Sequence, residues 1–174
     1  ELRIVSPICD VHSFEAKKMA LKGHSYIDNC KIFNCVEQAI FDCDLVLATC
    51  GRIDLSKDIE CESPESISKW ISSFEEINNL AILFGREDRG LTNRELLFAH
   101  KILNINTSKN YPSLNLSHAV AIILYELNKS STNNQKNNTR VFNLASSKQI
   151  YESFNDLEEV LIKTGYLLEH TSFS

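Results

Sequence analysis

Ala81-Ile82-Leu83-Phe84-Gly85-Arg86-Glu87-Asp88-Arg89-Gly90-Leu91-Thr92-Asn93-Arg94-Glu95 passes from an apolar run into a charged turn bounded by two glycines, then into a helix start. Downstream, Tyr111-Pro112-Ser113-Leu114-Asn115-Leu116-Ser117-His118-Ala119 makes a similar passage into a long apolar helix pattern. In an α/β protein such junctions leave main-chain groups free for a ligand, beyond the carboxyl ends of the strands. These two segments therefore mark the candidate site.

Working outward, Leu80 to Phe84 predicts a short strand, apolar throughout as buried parallel strands are. Leu2 to Ser6, Ile32-Phe33 and Leu45 to Thr49 predict further strands. Helical patterns lie between them, around Phe14 to Lys22 and Val36 to Asp42. This alternation is the rhythm of a parallel sheet covered by helices, an α/β fold. Pro64 opens the next helix at its first turn, with Ile67, Trp70, Ile71 and Phe74 on one face. After Gly90, Thr92 or Asn93 caps a helix through Ala99 with Glu95 in its first turn, and Ile102 to Ile105 reads as another strand. Leu116 to Leu127 is the strongest helix pattern in the chain.

The polar stretch 128–139 holds five asparagines and no apolar residue, and predicts a solvated linker. The expected organisation is a domain over 1–130, a linker over 131–146 and the start of a helical extension over 147–174. That last segment carries Ile150, Phe154, Leu157, Val160, Leu161 and Leu168, an amphipathic pattern that needs a partner.

The 174 residues, 43% hydrophobic, suffice for a substantial core, and the net charge of −5 argues against holding polyanions by overall charge. Basic contacts would have to be local. Cysteines 9, 30, 35, 43, 50 and 61 form no C-x-x-C pair and have no histidine at zinc-finger spacing, so no metal site is expected. They suit a reduced, cytoplasmic protein. No leader pattern or run of membrane-spanning length is evident. Because strand-like residues begin at once after Glu1, the chain reads as a fragment lacking upstream sequence.

Each chemical feature has two readings. Gly85 lets a ligand approach the backbone, or simply makes a tight turn. Arg86, Arg89 and Arg94 with Glu87 and Asp88 are a binding cluster or a solvated face. Ser113 and Asn115 contact a ligand or cap the following helix. Cys50 has no base nearby in sequence and reads as structural, as do His100 and His118. The chain lacks G-x-G-x-x-G and the P-loop pattern.

In order, L-V-L-A-T-C-G-R (45–52), A-I-L-F-G-R-E-D-R-G-L-T-N-R-E (81–95) and Y-P-S-L-N-L-S-H-A-V (111–120) resemble the SpoU (TrmH) family of the SPOUT superfamily of RNA ribose 2′-O-methyltransferases. They look most like its TrmJ type, which acts at the first nucleotide of the tRNA anticodon loop, position 32, on cytidine or uridine. Ile4 to Pro7 and Asp28-Asn29 extend the resemblance over roughly residues 1–130.

The resemblance implies a SPOUT-type parallel sheet with a C-terminal trefoil knot, S-adenosylmethionine as cofactor, tRNA as partner and a homodimer. It implies that Thr49, Cys50, Gly51, Gly85, Ile105, Pro112, Ser113 and Leu114 hold the cofactor, and that Arg52, Arg86, Ser113 and Asn115 serve substrate and catalysis. Glu87 matches the second-motif acid. The family's first motif, an Asn-x-Gly turn and a catalytic arginine, would lie upstream of Glu1, leaving this piece N-terminally truncated. Ala48-Thr49-Cys50-Gly51-Arg52 stands where the TrmJ type has Gly-Thr-Ser-Ala-Arg, and Pro112 replaces a serine. Another tRNA or ribosomal RNA site, a non-catalytic RNA-binding relative, and an unrelated doubly wound nucleotide-binding domain are the alternatives.

Overall fold

Arg3–Val5 (β1) and Lys31–Phe33 (β2) pair in parallel, Arg3 opposite Lys31 and Val5 opposite Phe33, in a computed structural model of the chain. The structure describes residues 1–51, 60–74, 77–108, 114–132, 145 and 147–166. They belong to two units, Glu1–Asp42 and Cys43–Ser174.

In the first unit, Ser13 caps Phe14–Ala20 (α1), its hydroxyl accepting from Ala16 N. The expected helix to Lys22 stops at Ala20, because Leu21 turns to a positive φ of 49° and a 3₁₀ turn follows. A helix absent from the sequence reading, His24–Asp28 (α2), fills the space before β2. Val36–Ile40 (α3) closes the unit and buries Ala39 and Ile40. Neither α1 nor α2 buries a side chain. Polar ties do much of the holding: Arg3 reaches Asp42 and the Ala39 carbonyl, Lys17 meets Asp28 at 2.6 Å, and Lys31 meets Glu1 at 2.8 Å.

The second unit is organised on Leu45–Thr49 (β3), whose first four residues are fully buried as the unbroken apolar run requires. Cys61–Glu62 (β4), Leu80–Leu83 (β5) and Lys101–Leu103 (β6) complete an all-parallel sheet of order β4-β6-β3-β5. Ala48 lies opposite both Leu83 and Ile102, and Thr49 opposite Leu103. Two residues of edge strand are too few to show alternation, so β4 was not legible in sequence.

Side chains alternate between two cores. Leu47 and Leu103 point toward Pro64–Ile71 (α4) and Leu116–Thr132 (α6), where they pack with Ile67, Ile123 and Trp70. Ala48, Cys50 and Ile102 face the opposite way, against Leu91 and Leu96. Ser63 caps α4, with Pro64 in the first turn as expected. Lys101 sits 4.8 Å from the Trp70 ring centroid and pairs with Glu62, and that bond holds the Glu62 carboxyl below its usual range.

Asn93–Leu96 (α5) is shorter than the helix expected through Ala99. The chain must leave it so that His100 N can donate to the Val46 carbonyl at 2.8 Å, while His100 Nδ1 accepts from Val46 N at 3.1 Å. Histidine thus completes the ladder of a buried strand, and burial pushes its pKa down from 6.5. Ser147–Lys163 (α7) lies within the expected C-terminal extension. Residues 133–144 of the expected linker and residues 109–113 are outside the described residues. Among the described residues no helix is long and apolar enough to cross a membrane, no acid, histidine and cysteine cluster suits a metal, and all six cysteines are free thiols.

Candidate functional site: a cavity at the strand ends

Parallel register brings the carboxyl ends of β3, β5 and β6 together beside the start of α6, all within the second unit. Short hydrogen bonds fix these ends. Thr49 Oγ1 donates to the Leu83 carbonyl at 3.0 Å, Cys50 N to the Leu103 carbonyl at 2.8 Å, and Asn104 Nδ2 to the Cys50 carbonyl at 2.7 Å. Between the ends and α6 lies a cavity of about 310 Å³, a volume suited to a small ligand.

The cavity gathers Thr49, Cys50, Gly51, Gly85, Ile105 and Leu114, all six of them residues that the sequence reading assigned to a cofactor. Arg86 and Glu87 line it as well. Asn115 does not line it; its Oδ1 accepts from Ser117 N at 2.9 Å and from Ser117 Oγ at 2.7 Å, the capping alternative. Arg52, Pro112 and Ser113 are outside the described residues. His118 is exposed.

Sequence reasoning missed one wall. Leu116, Ala119 and Ile123 contribute it from α6, and their helical spacing was the available signal, since the same stripe that packs the core also floors the cavity.

The turn after β5 is closed by its own backbone. Gly90 N donates to the Arg86 carbonyl at 2.8 Å, and Gly90 adopts φ 69°. A Cβ on Gly85 would lie 2.1 Å from the Gly90 carbonyl carbon and 2.3 Å from Leu91 N, so glycine at 85 is demanded by the turn itself. Within the turn the charges pair. Arg86 Nε and Nη2 donate to Asp88 Oδ1 and Oδ2 at 2.9 and 2.8 Å, and Arg86 thereby holds the Asp88 carboxyl below the usual range. Arg89 meets Glu95 at 3.2 Å. Glu95 and Thr92 form a reciprocal capping box at the start of α5. Burial pushes the Glu95 carboxyl up, but the Thr92 and Arg89 bonds outweigh it and hold the pKa low.

Chemically, the apolar side of the cavity, with Leu103, Ile105 and Leu114, suits a flat heterocycle. Among the described residues the main-chain groups of Gly51, Gly85 and Ile105 have no hydrogen-bond partner outside the strand ladders, so they can meet its polar edge. The residues present fit a nucleoside-bearing ligand.

A parallel sheet with helices on it and a cavity at its strand ends defines an α/β protein with a candidate ligand site where such folds place theirs. The chain belongs to the SpoU rRNA methylase family, whose model matches residues 1–125. It is 40% identical over 129 residues to the tRNA (cytidine-2'-O-)-methyltransferase TrmJ of Methanocaldococcus jannaschii, covering 73% of this chain and 55% of that protein. An uncharacterized tRNA/rRNA methyltransferase of Haemophilus influenzae is 32% identical over 173 residues, 96% of this chain and 69% of the other. Among solved structures, TrmJ from Z. mobilis ZM4 superimposes with a TM-score of 0.74 at 25% identity, covering 97% of this chain and 70% of that one. The chain spans about half the length of the TrmJ proteins of M. jannaschii and Sulfolobus acidocaldarius, 55% and 53%.

Proposed function

We propose that this chain is the methyltransferase portion of a TrmJ-type enzyme that methylates the ribose 2′-oxygen of cytidine or uridine at the first nucleotide of the tRNA anticodon loop. The observation that carries the reading is the single cavity lined by parts of all three motifs: Thr49 to Gly51, Gly85 with Arg86, and Leu114. S-adenosylmethionine, when bound, supplies an activated methyl on a sulfonium sulfur. Gly51, Gly85, Ile105 and Leu114 are the residues to hold its adenosine portion, with Thr49, Cys50, Pro112 and Ser113 as the further cofactor residues of the same reading.

The work left to the chain is alignment and charge control. Arg86 and Arg52 pin phosphodiesters of the RNA and stabilise negative charge on the ribose oxygen as its proton leaves. Ser113 is assigned to the substrate, and Asn115 to bracing the approach to α6. A C-terminal trefoil knot, a homodimer and a cytoplasmic setting belong to the same reading. Exposed Ile122, Leu124 and Tyr125 on α6 support a second copy as partner. A domain over 1–130, a linker over 131–146 and the start of a helical extension over 147–174 belong to the same reading.

Transfer of labelled methyl from S-adenosylmethionine to tRNA transcripts tests the reading. Arg86→Ala should abolish transfer while S-adenosylhomocysteine still binds. Unchanged turnover in that variant removes Arg86 from the mechanism, and wild-type protein that binds RNA but never methylates it favours the non-catalytic relative.

A further inference from the structure

The guanidinium of Arg86 is held by one edge only. Its Nε and Nη2 make a side-on fork with both carboxylate oxygens of Asp88, two residues away in the same turn. Of five N–H donors this uses two, and Nη1 has no partner among the described residues. Both residues line the cavity, and their side chains are 53% (Arg86) and 61% (Asp88) exposed.

Asp88 is a firm support because the turn beneath it is fixed. The Gly90 to Arg86 bond closes it, the contact of Gly85 with the Gly90 and Leu91 backbone packs it, and the Arg89–Glu95–Thr92 network ties its far end to α5. An unsupported arginine gives up its rotamer freedom when it docks. One already forked on a carboxylate carried by a closed turn has given up part of it beforehand.

We propose that Asp88 is a positioning residue, which holds the Arg86 guanidinium so that its remaining edge is ready-formed for a phosphodiester of the RNA substrate. The claim rests on the methyltransferase reading for the identity of the substrate, though not for the geometry of the pair. It also sets a sign that charge alone does not. Removing a carboxylate makes the cavity mouth more positive, so Coulomb attraction by itself calls for tighter RNA binding. Positioning calls for weaker binding.

The test is anisotropy titration of a fluorescein-labelled anticodon stem–loop RNA into the wild type, Asp88→Asn, Arg86→Lys and the double variant. An asparagine amide opposes one guanidinium N–H and breaks the fork. Asp88→Asn should weaken binding about fivefold, the upper size of one exposed ion pair. In the Arg86→Lys background, where no fork exists, the same change should do nothing further. Equal or tighter binding by Asp88→Asn overturns the proposal and makes Asp88 a competing counter-ion. An equal loss in both backgrounds overturns it in favour of a structural role.

Failure of the functional reading looks different, as wild-type protein that binds neither RNA nor S-adenosylhomocysteine. The pair is then decided by arginine side-chain NMR with inorganic pyrophosphate as probe. Positioning requires that the Arg86 Nη signals shift while the Nε–H signal keeps its Asp88-bound position. Displacement of the Nε–H signal, or no response at all, overturns it.

Discussion

The units Glu1–Asp42 and Cys43–Ser174 share one grammar of short strands and helices, yet they bury very different amounts of it. In the second, Leu45, Val46, Leu47 and Ala48 are wholly enclosed by flanking strands and by packing on both faces. In the first, no residue of β1 or β2 is fully buried, and Ile8, Phe14 and Met19 are 88%, 75% and 82% exposed. Sequence periodicity produces elements in both units. Stability depends on what surrounds a strand, and a two-stranded sheet has no central strand to enclose. The candidate site sits in the unit whose strands are locked.

The comparison is broken most directly at the central strand. Leu47→Ala should cost about 2–5 kcal/mol, because it empties a fully enclosed position between β3, α4 and α6. Chemical denaturation reads it as a lower midpoint, and a loss under about 1 kcal/mol would mean the second unit is as loosely built as the first.

His100→Phe comes next, at about 1–3 kcal/mol, since the buried Val46 N–H loses its acceptor. This variant also has a pH signature. Burial lowers the folded pKa of His100 below 6.5, so the unfolded chain binds the proton more readily. The wild type should therefore hold the full contribution above pH 6.5 and lose it as pH falls toward the folded pKa. Melting curves across that window should slope for the wild type and flatten for His100→Phe.

In the first unit the expected effects shrink. Arg3→Ala removes contacts to Asp42, Glu1 and the Ala39 carbonyl, and hydrogen exchange in β1 and β2 should report a local loss of about 1 kcal/mol. Met19→Ala, at an exposed position, should stay within about 0.5 kcal/mol. A loss of core size there would show that α1 is covered in solution.

Much of the second unit was legible. The apolar run 45–49, Pro64 as a helix opener and the stripe from Leu116 carry their structure in local pattern. The parts that escaped depend on distant partners. β4 exists because β6 offers it a ladder, and α5 ends early because His100 is claimed by Val46, 54 residues away. Glycine at 85 read equally as room for a ligand or as a tight turn, and the turn by itself demands it, a contact that needs the folded path of Gly90 to be seen. Spacing alone did not unite the candidate site residues. Their grouping came from the family resemblance, and the cavity places together the six described cofactor candidates. The fork between Arg86 and Asp88 was invisible because a run of mixed charges reads equally well as a solvated face.

The central claim is that the cavity at the ends of β3, β5 and β6 binds an S-adenosyl ligand. Calorimetric titration of S-adenosylhomocysteine into the folded chain tests it most directly. The account expects saturable binding at one site per chain, lost when Ile105 in the cavity wall is changed to Asp. A folded wild-type protein that gives no binding heat and no ligand-induced rise in melting temperature would contradict it.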